Sequence, residues 1–280
     1  MKEIISLIRM KQYIKNLFIF APIFFAGEIF NIDKTINVFF ATILFSLLAS
    51  SIYIINDIMD KEDDALHDKK KKRPIASGKI SVNKALKISF LLFIVAMIGF
   101  ILMDLYLYPL MYFILNILYS FAGKHKAPYD VFFIAIGFVL RLYLGASAAD
   151  VYLSQWMVVN VFFLTLFLAI GKRYSEVVKK DDGCSSVVRK SIDGYNKEYI
   201  YILLAISSAG VIFSYLTYII VVNQNLLTTA IFVVLGLFRY LQIIIIENKS
   251  ENPTEISYKN ISMVVIFLLW ILTFYWMSNA

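Results

Sequence analysis

Residues 36–55, INVFFATILFSLLASSIYII, run directly into residues 56–67, NDIMDKEDDALH. The first segment carries no charge, and its twenty residues span about 30 Å as a helix, the thickness of a bilayer's hydrocarbon core. The second carries five acidic side chains in twelve residues. A bilayer-crossing helix therefore ends in a dense acidic segment at the water boundary, and this junction places the chain among all-α polytopic membrane proteins.

The pattern repeats along all 280 residues, of which 60% are hydrophobic and only 17% charged. A soluble domain is closer to about 45–50% apolar and about 25% charged. Apolar runs and charged breaks predict nine spans, near 17–30, 36–55, 85–103, 107–121, 131–149, 155–170, 199–222, 226–246 and 262–277. The basic, amphipathic start of the chain lacks a small-residue cleavage site and is not expected to be a removable signal. One cysteine, Cys184, excludes an internal disulfide framework, and two histidines, His67 and His125, argue against a multi-histidine zinc site. Pro and Gly are scarce, so a single transmembrane catalytic domain is expected over 1–280, with loops at about 56–84, 122–130, 171–198 and 247–260.

The cations orient these spans. Of 27 Lys and Arg, four precede the first span, nine lie between Lys61 and Lys87, and two follow the fourth. Seven more fall between Lys172 and Lys197, and Lys249 and Lys259 lie in the last loop, whereas only Lys34 falls on the opposite side. The positive-inside rule then puts the N-terminus and every long loop in the cytoplasm, and the protein in the plasma membrane. The other face keeps only short links, so any chemistry is expected on the cytoplasmic side.

On a continuing helix Asp57, Asp60 and Asp64 follow i, i+3, i+7 spacing and share a face, with Asn56 stacked on Asp60 and His67 extending the stripe. Carboxylates so arranged repel one another unless a cation bridges them. Oxygen ligands without cysteine suit Mg²⁺, which combines a few carboxylates with water and substrate phosphates. A solvated helix end would also be acidic, but would not require the one-face spacing. An EF-hand is excluded, because its alternating ligands and central Gly are missing.

The run Lys69–Arg73 follows at once, and Pro74 and Gly78 turn the chain back toward the third span. Such a run most often marks topology or touches anionic lipid, but beside an acidic stripe it can also close over a polyanion. Further cations, Lys124 with Lys126 and Lys172 with Arg173, sit within a turn of the boundary, where snorkelling alone would also place them. Arg141 and Arg239 lie about 18 Å and about 10 Å inside their spans. A charge at such depth faces either a cavity or a partner on another helix.

The motif Asn56-Asp57-x-x-Asp60-x-x-x-Asp64 at a helix end resembles the UbiA superfamily of intramembrane transferases, as does the opening Lys11-Gln12-Tyr13-Ile14-Lys15-Asn16. That resemblance implies a UbiA-like helical bundle, Mg²⁺ and a diphosphate leaving group. Four further stretches resemble the decaprenyl-phosphate phosphoribosyltransferase branch: Asp64-x-x-His67-x-x-Lys70-x-x-Arg73-Pro74; Tyr119-Ser120 with Lys124-His125; Gly171-Lys172-Arg173-Tyr174-x-Glu176; and Phe238-Arg239-Tyr240 with Asn252-Pro253-Thr254-Glu255. The branch implies transfer of 5-phosphoribose from phosphoribosyl pyrophosphate to a polyprenyl phosphate. Carried over by position, Asn56, Asp57, Asp60 and Asp64 would hold the metal, with the three aspartates catalytic. Lys70, Arg73, Tyr119, Lys124, Lys172 and Arg173 would hold phosphates, and Lys15, Asn16, His67, Asp130, Arg141, Tyr174, Glu176 and Arg239 would complete the substrate-binding set. Membrane lipids are expected partners and nucleic acid is not.

One departure separates the candidate functions. Aromatic prenyltransferases of the superfamily carry a second Asp-rich motif after the sixth span, where this chain has Lys172-Arg173-Tyr174-Ser175-Glu176. Base in place of acid fits an acceptor that is itself a phosphate. Transfer of a prenyl group from its diphosphate to an aromatic or other acceptor is the alternative. A transporter built on Asp130 and Arg141 is the alternative from another class, and the chain lacks the internal repeat common among transporters.

Overall fold

The computed structural model describes residues 2–66, 70–182, 190–247, 256 and 259–278. His67, Cys184 and the Asn252–Glu255 stretch lie outside the described residues. Every regular element among the described residues is helical. They are α1 (Lys2–Leu7), a 3-10 segment (Met10–Phe20), α2 (Ala21–Phe25), α3 (Ile32–Met59), α4 (Lys61–Leu66), α5 (Val82–Leu102), α6 (Leu107–Phe121), α7 (Tyr129–Ala149), α8 (Gln155–Asp181), α9 (Lys197–Val222), α10 (Ala230–Ile245) and α11 (Ile261–Ser278), with short 3-10 turns at Lys70–Lys72, Gly123–His125, Lys190–Gly194 and Gln224–Thr229.

Among the described residues, seven segments are long and apolar enough to cross a membrane: α3, α5, α7, α8, α9, Gln224–Ile245 and α11. The expected fourth span is α6, which reaches only 15 residues. The expected first span is not one helix. Pro22 sits in the first turn of α2, where its missing N–H costs nothing, and the residues before it wind as a 3-10 helix. A second departure concerns the loop expected at 171–198. The apolar run ends near Ile170, but α8 continues unbroken to Asp181, so Lys172, Arg173, Tyr174 and Glu176 lie on a helix. Lys, Arg and Glu are good helix formers, and a change of solvent ends an apolar run without ending the helix. Asn31, Ser81 and Asn196 start α3, α5 and α9 by accepting a backbone N–H of the first turn.

The chain divides into two compact units. The first comprises 1–124 and 137–153, the second 125–136 and 154–280, so α7 contributes to both. In the first unit Ile19, Ile23, Phe45, Leu48, Phe100, Tyr112 and Leu144 form the main core. The 3-10 segment lies along α3, where Ser46 and Ser50 present small polar side chains one turn apart. Tyr13 Oη and Ser50 Oγ lie 2.9 Å apart, Asn16 Nδ2 donates to Ser46 Oγ at 2.8 Å, and Ser50 Oγ donates to the Ile8 carbonyl at 2.8 Å. On its other side the segment meets α7 at Gly145, where a Cβ would overlap the Ile19 carbonyl.

The second unit packs α8, α9 and α10 around Phe167, Ile170, Ile200, Leu204, Val211, Tyr240, Ile243 and Ile244. Gly171 and Gly210 lie where a Cβ would strike Tyr240 and Phe163. In α11 Phe274 is buried while Phe267, Leu272 and Trp276 are exposed, the surface of a helix whose solvent is lipid.

Gly145→Ala is expected to lower thermal stability in detergent by several degrees, because backbone rather than a mobile side chain blocks the methyl. Gly236→Ala, whose Cβ would meet Ile266 at an ordinary 3.7 Å, is expected to leave stability unchanged or slightly raised. A thermal aggregation series on the two variants checks this.

Candidate active site: an acidic helix end clasped by cations

The site begins where α3 ends. Asp60 leaves helical geometry at φ −92°, ψ 10°, but its N–H still reaches the Asn56 carbonyl at 2.9 Å. α4 then restarts, with the Asp64 N–H on the Asp60 carbonyl at 2.8 Å. The near-continuous path keeps the acidic residues in helical register, and they separate into two pairs.

Asp57 and Asp64 form the buried pair. Arg73 Nη1 donates to Asp57 Oδ1 at 2.9 Å and also to Asp64 Oδ2, so one guanidinium nitrogen joins both carboxylates. Arg9 grips Asp57 from another direction, Nε donating to Oδ2 at 3.2 Å and Nη2 to Oδ1. Lys70 Nζ stands 3.8 Å from Asp64 Oδ1. Asn56 and Asp60 form the other pair: Ser120 Oγ donates to Asn56 Oδ1 at 2.5 Å, and Lys124 Nζ to Asp60 Oδ1 at 2.6 Å. Along the face that Asp57, Asp60 and Asp64 share, Asp57 and Asp64 thus meet Arg73 while Asp60 meets Lys124. At roughly 100° per residue, 57 and 64 lie about 20° apart around the helix, 60 lies within about 60° of both, and 56 lies about 40° beyond 60.

Sequence patterning and packing explain the placement of Arg73. Pro74, directly after it, is buried, and the next residue, Ile75, sits in a small apolar cluster with Leu7, Ile54, Ile80 and Ala85. Gly78, at φ +73°, reverses the chain, and the Ile80 N–H bonds the Pro74 carbonyl at 3.0 Å. The loop is thus pinned by its apolar side, and Arg73 projects from the pinned end. Arg9 has a different support. It lies between α1 and the 3-10 segment in left-handed backbone geometry, φ 53° and ψ 46°, a conformation costing a non-glycine residue on the order of 1–3 kcal/mol. Its guanidinium also lies 5.5 Å from the Tyr53 ring. Sequence reading missed Arg9 as a site residue, since its partner is 48 positions away and nothing in its neighbourhood marks the pairing.

Deeper in the same unit, Arg141 is buried without a carboxylate partner among the described residues. It donates to the Asn16 side chain (3.1 Å), the Gly137 carbonyl (2.8 Å) and the Tyr112 hydroxyl (3.1 Å). Its guanidinium carbon lies 4.7–5.0 Å from the ring centroids of Phe45, Tyr112 and Phe138. Asn16 is itself buried between Arg141 and Ser46. Both residues serve the packing of the 3-10 segment against α3 and α7. Lys15 is half-buried beside them.

The remaining expected site residues, Tyr119 apart, belong to the second unit. Asp130 and Arg173 are both buried, with Arg173 Nε 2.7 Å from Asp130 Oδ2 and Arg173 Nη1 2.5 Å from Glu176 Oε2. Ser191 and Tyr195 donate to Asp130 at 3.1 and 2.6 Å, tying the turn at Lys190–Gly194 to the start of α7. Burial and the hydrogen bond to Asp130 push the Tyr195 phenol well above its ordinary value, so it stays protonated and donating. Ser191 and Tyr195 are additions that the sequence did not reveal. Tyr174 Oη lies 3.2 Å from Tyr201 Oη, and Arg239 bonds Ser262, Gln242 and Glu247. Lys172 and Tyr119 are half-buried and engaged with other residues.

Among the described residues no three carboxylate, histidine or cysteine side chains converge closely enough to hold a metal unaided. The expected four-residue set of Asn56, Asp57, Asp60 and Asp64 is therefore not preassembled. The donor chemistry nevertheless fits Mg²⁺. Asp57 and Asp64 reach one guanidinium nitrogen and so lie side by side, and Mg²⁺ commonly takes one or two carboxylates and completes its shell with water and phosphate.

The profile of the UbiA prenyltransferase family matches residues 17–272. The decaprenyl-phosphate phosphoribosyltransferase of Mycolicibacterium smegmatis is 30% identical over 287 residues, covering 96% of this chain and 90% of that protein. The Corynebacterium glutamicum protein of the same name is 34% identical over 217 residues, covering 75% and 65%. Among solved structures, a UbiA homolog from Archaeoglobus fulgidus bound to DMAPP and Mg²⁺ has the same fold, with a TM-score of 0.73 over 99% of both chains at 17% identity. With its helices, its acidic α3 terminus and a profile match over nearly its whole length, the chain belongs to the UbiA prenyltransferase family of membrane transferases.

Proposed function

We propose that this chain transfers 5-phosphoribose from phosphoribosyl pyrophosphate to a polyprenyl phosphate, releasing pyrophosphate, at the cytoplasmic face of the plasma membrane. The observation that carries this reading is the interleaving of acids with bases at the end of α3. Asp57, Asp60 and Asp64 are each in contact with a cation, and Arg9, Lys70, Arg73 and Lys124 surround them. Carboxylates that hold a metal, set among cations that hold phosphate, match a donor carrying a pyrophosphate leaving group. The names of the mycobacterial and corynebacterial relatives support the same substrates.

Asp57 and Asp64, with Asn56 and Asp60 beside them, would hold Mg²⁺, which when bound offsets the charge gathering on the departing pyrophosphate. Arg73, Lys70 and Lys124 would orient the phosphates. The bond from ribose C1 to the pyrophosphate oxygen breaks as an oxygen of the lipid phosphate bonds to C1. The attacking phosphate is already an anion at neutral pH, so no general base is required. Positioning and electrostatic stabilisation supply the catalysis. Arg173 is held by Asp130 and Glu176 within the second unit.

The test is purified protein with labelled phosphoribosyl pyrophosphate, Mg²⁺ and polyprenyl phosphates of several lengths. Lipid-linked phosphoribose is expected; turnover of a polyprenyl diphosphate with an aromatic acceptor instead would overturn the reading. Asp57→Asn and Asp64→Asn are each expected to lower kcat at least about 100-fold with the folded yield retained, as for loss of a group that stabilises transition-state charge. Lys124→Met is expected mainly to raise the KM for phosphoribosyl pyrophosphate, by about tenfold for a lost charge-assisted contact. EDTA is expected to abolish turnover and Mg²⁺ to restore it.

A further inference from the structure

The carboxylates that would bind the metal already have counter-ions. Asp57 Oδ1 accepts from both Arg9 and Arg73, and Oδ2 accepts from Arg9 Nε. A carboxylate oxygen offers about two acceptor directions, so both at Oδ1 are taken. Asp64 is likewise occupied by Arg73, with Lys70 close by. A divalent ion cannot reach Oδ1 of Asp57 without moving a guanidinium.

Charge points the same way. Asp57, Asp60 and Asp64 with Arg9, Lys70, Arg73 and Lys124 carry one net positive charge. A divalent ion alone would raise this to three in a partly buried site, where charge of one sign is costly. Pyrophosphate, carrying about three negative charges, would return the whole to near neutrality and give the displaced guanidiniums new acceptors, to which Arg binds bidentately. Arg9 is placed for such a move, on a strained left-handed residue at the break between α1 and the 3-10 segment.

We propose that Arg9 and Arg73 are exchangeable counter-ions: they occupy Asp57 and Asp64 until metal and pyrophosphate arrive together, then pass from carboxylate to phosphate. Metal and diphosphate binding are thereby coupled beyond their direct contact, and neither is favoured alone. This rests on the metal-and-pyrophosphate reading of the site.

The experiment measures Mn²⁺ binding by electron paramagnetic resonance to the full chain in detergent, with and without inorganic pyrophosphate, corrected for their association in solution. Wild type is expected to bind Mn²⁺ weakly alone and about tenfold or more tightly with pyrophosphate, within the usual range for linked sites. Arg9→Gln and Arg73→Gln are each expected to bind Mn²⁺ alone several-fold more tightly than wild type and to lose most of the coupling. Arg9→Lys, which keeps the charge but not the two-pronged grip, should fall between and serves if the Gln variant fails to fold. If the Gln variants, or Arg9→Lys in their place, bind Mn²⁺ alone no more tightly than wild type, the exchange is overturned while the metal site stands. If Asp57→Asn leaves Mn²⁺ binding with pyrophosphate unchanged, the metal assignment fails and the exchange with it.

Discussion

A single guanidinium nitrogen, Nη1 of Arg73, holds Asp57 at the end of α3 to Asp64 in α4. Two buried carboxylates seven residues apart would otherwise repel one another in surroundings that screen charge poorly. The loop from Lys70 to Ile80, the apolar cluster beneath it and the short restart of the helix after Asp60 all serve to place that nitrogen. Breaking such a contact from one side costs more than the contact is worth, because the uncompensated carboxylates remain buried.

The membrane helices make this local arrangement possible. α3 supplies three of the four acidic-motif residues from its last turn and its cap, and the same helix carries the serines that seat the 3-10 segment on which Arg9 depends. Site and scaffold therefore share one element. The second unit anchors its own polar centre by setting Asp130 against Arg173 and giving it hydrogen bonds from Ser191 and Tyr195.

Much of this was legible in the sequence, because bilayer solvation writes itself into apolar runs. The helix Leu107–Phe121 has the bounds its run predicts. Features that do not depend on lipid were harder to read. The extension of α8 to Asp181 is invisible to a search for apolar residues, since helix and hydrocarbon end at different places. The 3-10 winding before Pro22 depends on packing against α3 and α7. The shared face of Asp57, Asp60 and Asp64 follows from helical angles alone, whereas the pairing of Arg9 with Asp57 required the fold.

Arg141 has a consequence of its own. Its charge is balanced by an amide, a carbonyl, a phenol and three aromatic faces, none of which is ionic. The interior of the first unit therefore holds a positive charge that dipoles and rings alone surround among the described residues. An anion that approaches the interior of that unit meets an attractive field that comes from one residue of α7 and not from the cations at the end of α3.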